Sequence, residues 1–287
     1  MITDSQTNFL YLSDCIKNEL PNFWLTFEKI IAKSGIRYGF LNNTKEIWAQ
    51  DFMPVQIGEN NFVQFTYSPD YLWDDLEDQK NIISPDSIIK NLGIETTKSN
   101  LILEGGNVIK SNKHAIISSK IFVENPQYSE NQLTTMLEQL LELDLVVIPW
   151  YKKRDPVGHA NCWVRFLDDK TVLINHFHAK KNHFFSYARS VLRNMRFDIV
   201  EIPFAPTHRY TTDFDVEGLY INYLQMEKKI FVPQYNIASD EPAMRAIENI
   251  FTDCDLIVVP CNELAAGGGV LGCASWNVYQ PPTSDNG

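Results

Sequence analysis

The chain has 287 residues, 44% of them hydrophobic and 12% aromatic, which is enough apolar material for a sizeable core. Its formal net charge of −11 argues against nucleic acid as a partner, because phosphate binding needs a basic face; it suits attraction of a small cation instead. The longest apolar runs, 145–150 and 256–261, are far too short to span a bilayer, and the opening MITDSQTN lacks the basic and apolar regions of an export signal, so a cytoplasmic protein is expected.

In chain order, the first periodic segment is a helix over 22–33, followed by a strand over 36–41. The stretch 47–67 opens a unit of two strand-like runs; the chain from there to residue 99 is the least regular, and its Asp-rich part, 71–80, reads as a solvated loop. Three complete copies of one pattern follow. Each begins with two alternating apolar runs around a short lysine-containing turn: NVIKSNKHAIISS, CWVRFLDDKTVLINHF and YINYLQMEKKIFVPQ. Each continues with a helical period, in SENQLTTMLEQLLE, FFSYARSVLRNM and EPAMRAIENIF. Each ends on a short apolar strand closed by proline: LDLVVIPW, FDIVEIPF and CDLIVVPC. A strand–strand–helix–strand unit recurring about every 55 residues predicts an α/β propeller of five blades. The last segment, 267–280, reads as an opening hairpin with nothing after it, while the N-terminus supplies a helix and a strand. The two chain ends are therefore expected to share one blade, and with no Gly/Ser/Pro-rich linker, residues 1–287 are expected to form a single domain.

Four short segments place reactive groups at the starts of units: WAQD (48–51), LEGGN (103–107), GHANC (158–162) and GGGVLGC (267–273). Taken singly, each has a bland reading. A strand histidine such as His159 is commonly a hydrogen-bonded core residue, Gly267–Gly269 a tight turn, and Asp51 or Glu104 a loop-capping carboxylate. Unit starts in a propeller gather near its axis, however, so these groups are expected to meet in one site. The five cysteines (Cys15, Cys162, Cys254, Cys261 and Cys273) include no CxxC pair, and four are expected to be inert thiols. The tract HFHAKKNH brings His176, His178 and His183 close in sequence, but no carboxylate or cysteine stands at ligand spacing, so no metal site is expected there.

Asp51, Glu104, His159, Asn161 and Cys273, in that order, resemble the agmatine deiminase and bacterial peptidylarginine deiminase family of guanidino-group-modifying enzymes. The resemblance rests on Trp48, Asp51 and Pro54; Glu104-Gly105-Gly106; Gly158-His159; Tyr220-Ile221-Asn222-Tyr223 with Val232-Pro233-Gln234; and Gly267-Gly268-Gly269 ahead of Cys273. It implies the pentein propeller, a guanidinium substrate (a small guanidino compound or peptidyl arginine) and no metal or organic cofactor. It further implies Cys273 as nucleophile and His159 as general acid and base, with Asp51, Glu104, Asn161 and Trp48 at the substrate. The chemistry suits these residue types, since a planar cation is held by carboxylates at its edges and attacked at carbon by a thiolate.

Three positions depart from the family pattern: Gln50 stands for an arginine, Gly272 for a histidine, and Asn161 for a guanidinium-binding aspartate. With His159 and Asn161 two apart on an expected strand, both side chains face one way, and Asn161 is expected to offer the substrate one acceptor without charge. On that reading Asn161→Asp raises kcat/KM by about tenfold. Two other functions share the same residues: an amidinotransferase, which passes the amidine to an amine, and a non-catalytic guanidine-binding pentein, which Asn161 favours. A papain-like Cys–His–Asn triad fits poorly, because its Asn must orient the His.

Overall fold

The computed structural model describes all residues except 74–75, 81, 151, 153–154, 177–182, 205–215 and 282–287. In chain order β1 (Phe9–Ser13) and β2 (Arg37–Leu41) come first, joined through the helix Pro21–Ser34. Then follow β3 (Val55–Gln56), β4 (Phe62–Thr66) and β5 (Thr96–Ile102); β6 (Ile109–Lys110), β7 (His114–Ser118) and β8 (Asp144–Ile148); β9 (Val164–Phe166), β10 (Thr171–His176) and β11 (Asp198–Pro203). The last set is β12 (Leu224–Met226), β13 (Lys229–Gln234) and β14 (Asp255–Pro260), before β15 (Ser275–Val278). These strands form five three-stranded sheets, the blades of an α/β propeller.

All five blades have one wiring. The first two strands pair antiparallel, and the third lies parallel to the second, as in Thr171↔Asp198 through His176↔Pro203 of β10 and β11. A parallel neighbour cannot be reached by a tight turn, so the chain must cross over, and the amphipathic helix makes that crossing. Glu130–Leu141 shows how sequence dictates one such helix. Ser129 and Gln132 form a capping box at its start, and Leu133, Leu137 and Leu141 repeat every fourth residue to give the buried stripe. Middle strands are buried on both faces, which is why β7 and β13 read as unbroken apolar runs, with Ala115–Ile117 and Ile230–Val232 inaccessible.

The ring closes as expected but with different pieces. Of the expected hairpin at 267–280, only β15 is a strand; Asn262–Ala266 and Leu271–Ala274 before it are helical turns. A run of three glycines is poor strand material, and the missing partner comes from the other end of the chain. In β1, Leu10 lies opposite Asn277 and Leu12 opposite Ser275, while β2 pairs on the other side. The helix Pro21–Ser34 starts on proline and stops at Gly35 in the left-handed region (φ 73), and it buries Phe23, Trp24, Phe27 and Ile31. No helix among the described residues is long and apolar enough to cross a membrane.

Candidate active site

The segment that leads into the first strand of each blade carries the site. Asp51 lies in the one-turn helix Ala49–Phe52 before β3, and Glu104 precedes the turn Gly105–Asn107 before β6. His159 precedes the turn Ala160–Cys162 before β9, and Cys273 lies in Leu271–Ala274 before β15. The fifth blade contributes Asn222, just before β12. Its Oδ1 accepts from the Cys273 N–H at 3.2 Å and its backbone carbonyl from the Gly272 N–H at 3.1 Å, so it fixes the loop that presents the thiol. Asn222 stood in a recognised motif, yet nothing in the sequence says that its partner is a loop 50 residues away.

Asp51, Glu104, His159, Asn161 and Cys273 are all buried, and the structure brings them together. His159 sits between two carboxylates, with Nδ1 at 3.5 Å from Asp51 Oδ1 and Nε2 at 3.0 Å from Glu104 Oε2. Glu104 thus stands against Nε2 as its charged partner, although the angle falls short of a well-aligned hydrogen bond. Gly106 donates its N–H to Asp51 Oδ1 at 3.0 Å; a Cβ there would fall 2.4 Å from that oxygen and 2.7 Å from His159 Nδ1. The Glu-Gly-Gly sequence is thus a steric requirement of the packed triad. The half-buried Trp48 lays its ring against Gly269, where a Cβ would come within 2.5 Å. At Gly272 a Cβ would meet Asn222 Oδ1 at 2.8 Å, so this placement of Asn222 excludes a histidine before the cysteine.

The local backbone differs from the expected strand. His159 is extended (φ −83, ψ 129), but Asn161 lies in the 3-10 turn that follows, closed by Trp163 N–H to the Ala160 carbonyl at 2.9 Å. The two side chains therefore do not share a strand face. Asn161 Nδ2 instead donates to Gln50 Oε1 at 2.7 Å and lies 3.5 Å from Cys273 Sγ, while its Oδ1 accepts from the Cys162 thiol at 3.3 Å. Cys162, expected to be inert, belongs to the site.

Charge follows from this packing. Burial pulls the His159 imidazole toward neutrality, but the carboxylates of Asp51 and Glu104 outweigh it and lift its pKa to about 10. Burial also raises Glu104, yet the His159 cation, then Lys120 and the Tyr71 hydroxyl, carry it below the usual carboxylate range. Asp51 is pushed well up by burial, against the pull of His159. Cys273 is brought down to about 6, through the neighbouring Cys162 thiol first and against burial, with help from the backbone at Val270, His159 and Asn161. Cys162 is driven up beside it, so the pair holds one negative charge, on Cys273. At neutral pH the site is a thiolate–imidazolium pair. Donor atoms of Asp51, Glu104 and His159 lie within 4.8 Å of one another, a spacing that suits a metal. In the protonated imidazole both ring nitrogens carry hydrogen, so in that state the trio is an ion network of one cation between two acidic groups.

Lys120 supports the site from behind. Fully buried, it donates to the Val157 carbonyl at 2.8 Å and pairs with Asp70 at 2.8 Å, Glu124 at 3.2 Å and Glu104 at 3.8 Å. It ties the Tyr71 loop and the approach to His159 to one point. Removing one partner from a buried ion network leaves uncompensated charge, so Lys120→Met is expected to cost about 3–5 kcal/mol in urea denaturation. A loss below about 1 kcal/mol would show that the network holds nothing together. Of the histidine-rich tract, His176 pairs with Glu201, which also receives Arg189 at 2.7 Å; His178 and the His183 side chain lie outside the described residues.

Known proteins agree with this architecture. An agmatine deiminase of Pseudomonas putida is 24% identical over 207 residues, 60% of this chain and 55% of that protein. The chain spans between 55% and 63% of the length of the curated relatives it matches in sequence. Among solved structures, agmatine deiminase of C. jejuni superposes with a TM-score of 0.79 at 19% identity, covering 97% of this chain and 95% of that one. An amidinotransferase of Microseira wollei superposes at 0.63 with 11% identity, covering 97% and 96%. These likenesses show the pentein fold. Membership is decided by sequence, for the profile of one family matches residues 26–279, from the closing-blade helix past Cys273 to the end of β15: the chain belongs to the Porphyromonas-type peptidyl-arginine deiminase family.

Proposed function

We propose that this protein hydrolyses the guanidinium group of a small guanidino compound or peptidyl arginine to a ureido group, with release of ammonia. The observation that carries the reading is the gathering of buried Cys273 and His159 in one site with two buried acidic groups, Asp51 and Glu104. A guanidinium entering this site brings a positive charge that Asp51 and Glu104 receive through charge-assisted hydrogen bonds, with Trp48 as a wall. The Cys273 thiolate adds to the central carbon, and His159 gives its proton to the departing nitrogen, which leaves as ammonia. The neutral imidazole then takes a proton from water as it attacks the thiouronium carbon. Collapse expels the Cys273 thiolate, and the remaining hydroxyl proton passes to solvent, where the released ammonia takes it up as ammonium, so that the neutral ureido product is freed.

Residues 1–287 act in this reading as one catalytic domain in the cytoplasm. The test is an ammonia-release screen over guanidino compounds, with agmatine first because relatives are named for it, then arginine and a peptidyl arginine. Ammonia with a ureido product supports the reading, whereas a new guanidine on an added amine supports amidine transfer. The pH profile is a second expected outcome. The active form needs Cys273 deprotonated, so kcat/KM rises as pH increases through about 6; it needs His159 protonated, so kcat/KM falls as pH passes about 10. A profile that still rises between pH 8 and 9, as for an ordinary thiol, would contradict the ion pair.

A further inference from the structure

Two positions that depart from the family pattern, Gln50 and Asn161, are each other's partners, as Asn161 Nδ2 donates to Gln50 Oε1 at 2.7 Å. An amide has one donor end and one acceptor end, and here both are assigned. The acceptor, Oδ1, receives the Cys162 thiol at 3.3 Å, and the donor, Nδ2, is also 3.5 Å from Cys273 Sγ. The flipped amide would set an oxygen against a sulfur that carries negative charge. Gln50 thus holds the amide in the orientation that favours a thiolate, and the single Cys162 S–H lies within reach of both Oδ1 and the Cys273 sulfur.

We propose that Asn161 acts on the nucleophile and not on the substrate: its amide, oriented by Gln50, donates a hydrogen bond to the Cys273 thiolate and stabilises it. The importance of a stabilised thiolate rests on the deiminase reading; the contact itself does not. The other charges and thiols facing Cys273 are the His159 imidazolium, the Asp51 carboxylate with Glu104 beyond the ring, and the Cys162 thiol. Against this set a carboxylate at 161 adds a third negative group beside the sulfur, which reverses the expectation that Asn161→Asp raises activity. Gln50 and Asn161 also line a cavity of about 290 Å³, together with Asn222, Arg165 and Gln225, so there is space at residue 50 for a longer side chain.

The test is the pH dependence of Cys273 alkylation by iodoacetamide, followed by mass spectrometry of the Cys273 peptide without substrate. The wild-type midpoint is expected near 6. Asn161→Asp is expected to move it up by at least about one unit, lowering the alkylation rate at pH 6 by about fivefold or more. Gln50→Arg added to that variant is expected to bring the midpoint back, since the new cation faces the new carboxylate. Cys162→Ser, which still donates, is expected to stay near wild type, while Cys162→Ala moves up. Should Asn161→Asp not fold, Asn161→Ala and Gln50→Ala carry the test, and both are expected to raise the midpoint. An unmoved midpoint in the 161 variants, with a tenfold lower KM in Asn161→Asp, would place Asn161 at the substrate and overturn the proposal. A double variant that stays high would overturn the pairing of residues 50 and 161. Absence of ammonia release with every guanidine would sink the deiminase reading and leave the midpoint shift standing.

Discussion

Replacing Cys273 by alanine is expected to lower guanidine-dependent ammonia release by about 10³-fold or more, with the melting temperature within a few degrees of wild type. A covalent route has no substitute for its nucleophile, and losing one member of a nucleophile–base unit costs nearly the whole rate gain. Little fold stability should be lost, because the thiol is small and its backbone N–H keeps Asn222 as partner. Cys254→Ala, on the outer helix-to-strand connection, is the matched control and is expected to retain activity. Equal loss in both variants would remove Cys273 from its role.

Deleting residues 1–35 is expected to unfold the whole protein. The deletion removes β1, the middle strand of the closing blade, and leaves β15 and β2 without a common partner. It also strips Leu10, Leu12, Ile16, Phe23, Trp24, Phe27 and Ile31 from the core. Truncating one such side chain costs about 2–5 kcal/mol, and a domain has only about 5–15 kcal/mol in all, so the sum decides the outcome. Circular dichroism on the truncated protein checks this; a cooperative transition at the wild-type temperature would refute ring closure by the two ends.

The repeat made the fold legible from sequence. Apolar strands ending in proline, helices with apolar residues three and four apart and lysine-bearing turns mark each unit wherever local propensity and tertiary pairing agree. The closing blade was harder to read, because FLYLS in β1 pairs with residues more than 260 positions away and no local pattern announces that. Likewise Asp51, Glu104, His159 and Cys273 could be named from their segments, since their glycine neighbours are needed by the packing itself. Asn222, Cys162 and Lys120 could not be read in this way. Their roles come from the folded backbone: a loop of another blade anchored by the Asn222 amide, a thiol that the turn Ala160–Cys162 aims at its neighbour Asn161, and a cation that the end of β7 brings behind Glu104 of the same blade. Asn161 shows the same limit. Its residue type suggested a weakened substrate ligand, whereas its partner Gln50 gives it a different orientation and role.

The most direct measurement of the central claim is turnover in ¹⁸O-labelled water, with the product read by mass spectrometry. One ammonia and one ureido product per turnover are expected, with a single labelled oxygen on the former guanidinium carbon, and none of this in Cys273→Ala. Unchanged guanidine for every compound in the panel, or an unlabelled product formed by amidine transfer to an amine, would contradict it.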